Sequence, residues 1–134
     1  MSALTKDRNT VRKEGDYAAY QVKSNAEIFA GSLVCIDPTG HAVPGSDTAG
    51  LKFLGISRGY VDNTGGADGA LSVEVWRHGS FELATTDMTK GNVGDSVFVV
   101  DDQTVGLAAT TTNDVPCGKV SEHNSATSVY VSIG

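Results

Sequence analysis

The chain has 134 residues, enough for one domain with a real core, and only 7% of them are aromatic. Its net charge of −6 is unevenly spread: residues 1–23 hold five basic and three acidic groups, and the rest hold five basic and thirteen acidic. An acidic body repels phosphate, which argues against a nucleic-acid partner, and no apolar run approaches the length of a membrane span.

Residues 1–16 are polar and charged and fit neither a helical nor a strand period. They read as an extended N-terminal arm with four cations, Lys6, Arg8, Arg12 and Lys13, and an isolated apolar Val11. The arm's first ten residues lack the apolar core of a signal peptide. Tyr17 to Val22 opens a single β domain spanning 17–134, with Tyr17 and Tyr20 as candidate apolar anchors at the arm's root.

From there the pattern is turn, short apolar run, turn. Leu33–Ile36, the turn Asp37-Pro38-Thr39-Gly40 and His41-Ala42-Val43 form a hairpin signal. Lys52–Val61 alternates imperfectly, with Gly55 and Gly59 as candidate bulges or close backbone contacts. Residues 62–70 form a glycine-rich loop. Leu71–Trp76 alternates, placing Leu71, Val73 and Val75 on one face and Ser72, Glu74 and Trp76 on the other. Phe81–Ala84 follows, then a helical turn within Thr85–Lys90 capped by Thr86 or Asp87. Ser96–Val100, Thr104–Ala108, Val115–Ser121 and Ser128–Ile133 complete the set. Short β runs at close spacing, with at most one or two helical turns, give an all-β fold: a compact β-sandwich or partly open β-barrel carrying an extended arm.

Little in the chain points to catalysis. His41, His78 and His123 have no metal-ligand spacing, no serine stands in a nucleophile elbow, and no phosphate-cradling motif occurs. The expectation is a protein that is not an enzyme and has no cofactor or metal. Asp62, Asn63 and Asp68 carry oxygens suited to calcium, but their spacing fits no EF-hand and a flexible loop is the better reading. Cys35 and Cys117 sit in apolar surroundings and read as buried thiols in a protein made in a reducing cytoplasm, although sequence alone leaves a disulfide open. Tyr60 and Trp76 fit either an interface or the core.

The ordered set of pieces resembles the small capsid decoration (cement) proteins of tailed bacteriophages. The resemblance rests on Ala30–Pro44, Phe53–Ser57, Val73–Leu83, Val93–Val99, Cys117–Val120 and the closing strand Ser128–Ile133. Each piece is a common motif; their order covers most of the body. The resemblance implies a structural virion protein that binds the outer surface of an icosahedral head and stabilises it by cross-bridging subunits. Its partners would be the major capsid protein and itself, as a homotrimer or a dimer. The arm, through Lys6, Arg8, Val11, Arg12, Lys13, Tyr17 and Tyr20, would lie on the capsid, and Tyr60 and Trp76 would sit in an oligomer or capsid interface. The alternative is a carbohydrate-binding or adhesive β module on a virion surface.

Overall fold

A computed structural model describes residues 2–10, 12–13 and 15–134. The protein is all-β, with twelve strands and two single-turn 3₁₀ helices among these residues. The first sheet contains β1 (Tyr17–Gln21), β3 (Leu33–Ile36), β4 (Ala42–Pro44), β5 (Lys52–Ser57) and β7 (Ser72–Trp76), in the order β1-β7-β5-β3-β4. It curls until Val22, just past β1, bridges Ala42 on β4, where the Lys23 N–H donates to the Ala42 carbonyl at 2.9 Å. The result is a partly open barrel. The second sheet contains β8 (Gly79–Ala84), β9 (Ser96–Val99), β10 (Val105–Gly106), β11 (Pro116–Ser125) and β12 (Ser128–Ile133), in the order β10-β9-β11-β12-β8. A two-residue ribbon of β2 (Glu27–Ile28) and β6 (Val61–Asp62) forms the third.

Alternation builds two cores. Along β3, Leu33 and Cys35 face the second sheet, while Val34 faces the barrel interior. The larger core joins Leu33, Cys35 and Ile56 to Val97, Val99, Val120, Val129 and Val131 of the second sheet. The smaller one packs Val22, Val34, Ala42, Val73 and Val75 under Ile28 of the ribbon. Burying each such aliphatic side chain is worth about 1.5–3 kcal/mol, so these two clusters dominate the fold's stability. Gly55 permits the barrel's tightest approach: a Cβ there would lie on the Trp76 carbonyl oxygen of the neighbouring strand.

Several expectations need correction. Leu71 does not join Val73 and Val75; it precedes β7 and is 44% exposed. The helical turn comes later than Thr85–Lys90, at Lys90–Asn92, because Asp87 adopts positive φ (54°) and breaks the run. Asn92 then fixes that turn by accepting the Thr89 N–H at 2.9 Å. Thr104–Ala108 is strand only at Val105–Gly106, then turns into the other 3₁₀ helix, Ala108–Thr110. β11 runs on to Ser125, beyond the expected Ser121, because it pairs with both β9 and β12.

The glycine-rich loop is not loose. Asn63 is buried, and its Nδ2 donates to the carbonyls of Val22, Lys23 and Ala67 at 3.3, 3.0 and 3.0 Å. One amide thus ties the loop to the end of β1.

Candidate functional site

The second sheet covers only part of the first. One cross-strand row runs Leu33, Ile56, Trp76, Tyr17 through the registers of β3, β5, β7 and β1, and such partners share a face. Leu33 and Ile56 are buried under the second sheet. Trp76 and Tyr17 stand beyond its edge, 37% and 53% exposed.

On this uncovered face the two rings meet edge to face, with centroids 6.0 Å apart at 80°. Arg58 lies over both, its guanidinium carbon 4.2 Å from the Tyr17 centroid and 4.5 Å from that of Trp76. Its Nη1 donates to Glu74 Oε2 at 2.7 Å. The backbone sets this up: the Arg58 N–H bonds the Glu74 carbonyl at 2.8 Å, so the two side chains leave adjacent strands side by side. At a half-exposed site each cation–π contact is worth about 0.5–1 kcal/mol.

Beyond Arg58 the chain turns, with Ser57 Oγ donating to the Gly59 carbonyl at 2.6 Å. A cleft of about 300 Å³, lined by Arg58, Gly59, Tyr60, Val61, Ser72 and Glu74, separates this stack from a second aromatic pair. There Phe29 and Tyr60, both more than half exposed, have centroids 5.5 Å apart. The Tyr60 hydroxyl donates to the Glu27 carboxylate, which holds its proton and, with partial burial and the nearby Asp62 charge, pushes its pKa up to about 12.

The arm leaves this face at its edge. The Arg77 N–H donates to the Asp16 carbonyl at 2.8 Å, fixing the root just before Tyr17. Lys6, Arg8, Arg12 and Lys13 are all exposed, and no ion pair among the described residues involves them. Val11 lies outside the described residues. Tyr20 is not a surface anchor: it is half-buried and packs on the barrel's inner core, because on β1 it alternates with outward-facing Tyr17, Ala19 and Gln21.

The other candidate groups have structural work. The Thr64 hydroxyl and its N–H, the latter donating to Oδ1, hold the Asp62 carboxyl below its usual range, and the Ser24 N–H, donating to Oδ1, does the same for Asp68. Asn63 is committed to carbonyls, so these three do not form an open oxygen cage. Among the described residues no cluster of three or more His, Cys, Asp or Glu is placed to hold a metal. His41 contacts Thr39 at 3.0 Å and His123 the Met88 carbonyl at 3.1 Å, while His78 lies near Gly15. Cys35 and Cys117 are free and buried; burial raises their thiols to about 11 and about 12, so both remain neutral.

The structure thus brings Trp76 and Tyr17 together and adds Arg58, Glu74, Phe29 and Glu27, which the sequence did not single out. Arg58 left one usable trace: a lone arginine between Ser57 and Gly59, two residues before Tyr60. No protein-family model, curated protein or solved structure matches the chain.

Proposed function

We propose that this chain is a structural virion protein that binds the outer surface of an icosahedral bacteriophage capsid and stabilises it by cross-bridging capsid subunits. The observation that carries this reading is the junction of arm and face. An exposed arm with four cations leaves an acidic β body beside an uncovered aromatic–arginine stack at Tyr17, Arg58 and Trp76. Such a junction suits two-part docking. The arm meets acidic partner surface over a long reach, and the rigid stack supplies the desolvated aromatic and arginine contacts that dominate interfaces. Linking the two raises effective concentration, so weak individual contacts sum to firm attachment. Self-association as a trimer or dimer would multiply the same gain. The major capsid protein is the partner this reading requires.

The test is calorimetry of heads with and without the protein. Decorated heads should disrupt at higher temperature, because a ligand of the assembled state alone stabilises it. Identical melting of bare and decorated heads overturns the reading.

A second reading, carbohydrate binding, draws on the cleft between Arg58 and Tyr60 with its aromatic rims and polar lining. Against it, Arg58 already occupies a face of both Tyr17 and Trp76, where a sugar ring would stack. A glycan array separates the two readings.

A further inference from the structure

A separate cleft of about 360 Å³ is lined by Phe29, Ala30, Gly31, Ser32, Asp102 and Gln103. Three features of its wall stand out. Ser32 is 6% exposed, and its Oγ is the one buried side-chain polar atom without a hydrogen-bond partner among the described residues. A buried hydroxyl left unpaired costs about 1–3 kcal/mol, although this one has almost no accessible surface and an incoming group does not reach it without movement of the wall. The Asp102 carboxylate is half-buried, and no cation or donor reaches it among the described residues. Phe29 offers a ring that is 53% exposed. A carboxylate and an aromatic ring around one cavity match a cationic side chain: charge to Asp102 and a cation over Phe29.

We propose that this cleft receives a lysine or arginine from the N-terminal arm of a second copy of the chain. The body's six cations sit on its folded surface, Lys23 and Arg58 already in ion pairs, whereas the arm presents four within residues 6–13 on a long reach. The chain's own arm does not fill the cleft: residues 2–10 stay exposed, and only body residues line it. Reach is sufficient. Lys6 lies ten residues before Asp16, so an extended arm carries it about 33 Å past the root, against a body with a radius of gyration of about 14 Å. Charge sets the pairing direction. Two acidic bodies repel, whereas a basic arm against an acidic neighbour attracts, which gives a head-to-tail contact that can close into a ring. One arm cation engaged in this way leaves the others for a capsid. The inference does not depend on the capsid reading, since its test contains no capsid.

The experiment uses the full-length protein. A mixture of ¹⁴N- and ¹⁵N-labelled chains is treated with a carbodiimide that joins carboxylate to amine without a spacer, then digested and analysed by mass spectrometry. The expected product is a mixed-label crosslink between Asp102 and Lys6 or Lys13. Sedimentation velocity on the same protein should show association that falls with added salt. Asp102→Asn should weaken that association about tenfold or more, the scale of one charge-assisted contact. Neutralising the four arm cations to glutamine should do the same while leaving the β circular-dichroism spectrum intact. A monomer at every concentration, crosslinks only within one label, or association unchanged in both variants overturns the proposal.

Discussion

The two halves of the first sheet belong to one hydrogen-bonded, curled array and share one cross-strand row, yet they serve different ends. The β3–β5 half turns Leu33, Cys35 and Ile56 into the larger core under the second sheet. The β7–β1 half continues the same row with Trp76 and Tyr17 beyond the second sheet, with only the Arg58 guanidinium laid over the rings among the described residues. Side-chain chemistry follows the difference. Covered positions are aliphatic, thiol or, at Phe53, a ring without a polar group. Uncovered ones are Tyr17, Trp76, Glu74 and Ser72, groups with an apolar body and a polar handle that tolerate water and also suit contact. The sheet is thus half scaffold and half presented surface, and the boundary falls between Ile56 and Trp76.

Substitutions on the two sides should separate sharply. Leu33→Ala opens a cavity at a fully buried site shared by both sheets. The expected loss is about 2–5 kcal/mol, read as a lowered denaturation midpoint in urea with an unchanged slope. A loss below that of an ordinary surface substitution would show that the covered half does not carry the fold.

Asn63→Ala comes next. It removes one amide that serves the Val22, Lys23 and Ala67 carbonyls, each of which keeps one backbone donor, the N–H of Gly69, Ala26 and Ala70. The expected cost is about 1–3 kcal/mol. Hydrogen exchange should also speed up selectively across residues 62–70 and the end of β1, while β9 and β12 keep their protection.

Sequence carried much of this architecture and missed a definable part. Val73 and Val75 alternate with polar neighbours, so β7 and its faces were legible. The hairpin of β3 and β4 was legible because Asp37 closes its own turn, accepting the N–H groups of Thr39 and His41, both at 3.0 Å. The ribbon of β2 and β6 was not, since two residues carry no period and the pairing partner is remote in sequence. Leu71 shows the same limit at a strand end, where alternation runs on but the sheet does not. Most of the candidate site was hidden for one reason. Alternation says which face a side chain takes, not whether another layer will cover that face. Trp76 was therefore ambiguous until the edge of the second sheet was located, and Arg58 reaches Tyr17 only through the fold.

Acid should loosen the molecule through its loops before its cores. Asp47 accepts the N–H groups of Thr112 and Asn113, both at 2.8 Å, and Asp37 binds its own turn and Lys23. These hydrogen bonds, with the Lys23 charge on Asp37, hold both carboxyl groups below the usual aspartate range. A carboxyl with a lowered folded pKa adds stability that is present above its unfolded value, near 4, and lost as pH falls through the folded one. Stability should therefore be flat near neutrality and decline below about pH 4. Asp47→Asn should flatten that decline slightly. An identical acid profile in wild type and variant would remove Asp47 from the account.

The smallest effect on stability should come from the uncovered half, and there the comparison is most exposed to failure. Trp76 is 37% exposed and already loses part of its contact to water, so Trp76→Ala should cost under about 1.5 kcal/mol, less than a buried aromatic. Arg58→Ala should cost less still, since exposed cation–π and ion-pair contacts are each worth about 1 kcal/mol or less. The chain has a single tryptophan, so its fluorescence reports this face alone. Removing the guanidinium that lies 4.5 Å over the ring should shift emission to the red and raise quenching by iodide, with the unfolding midpoint barely changed. If the face is for contact, the same two variants should reduce attachment to heads by far more than their loss of stability explains. If either variant unfolds the protein as readily as Leu33→Ala does, the row has no boundary at Ile56, and Trp76 belongs to the core.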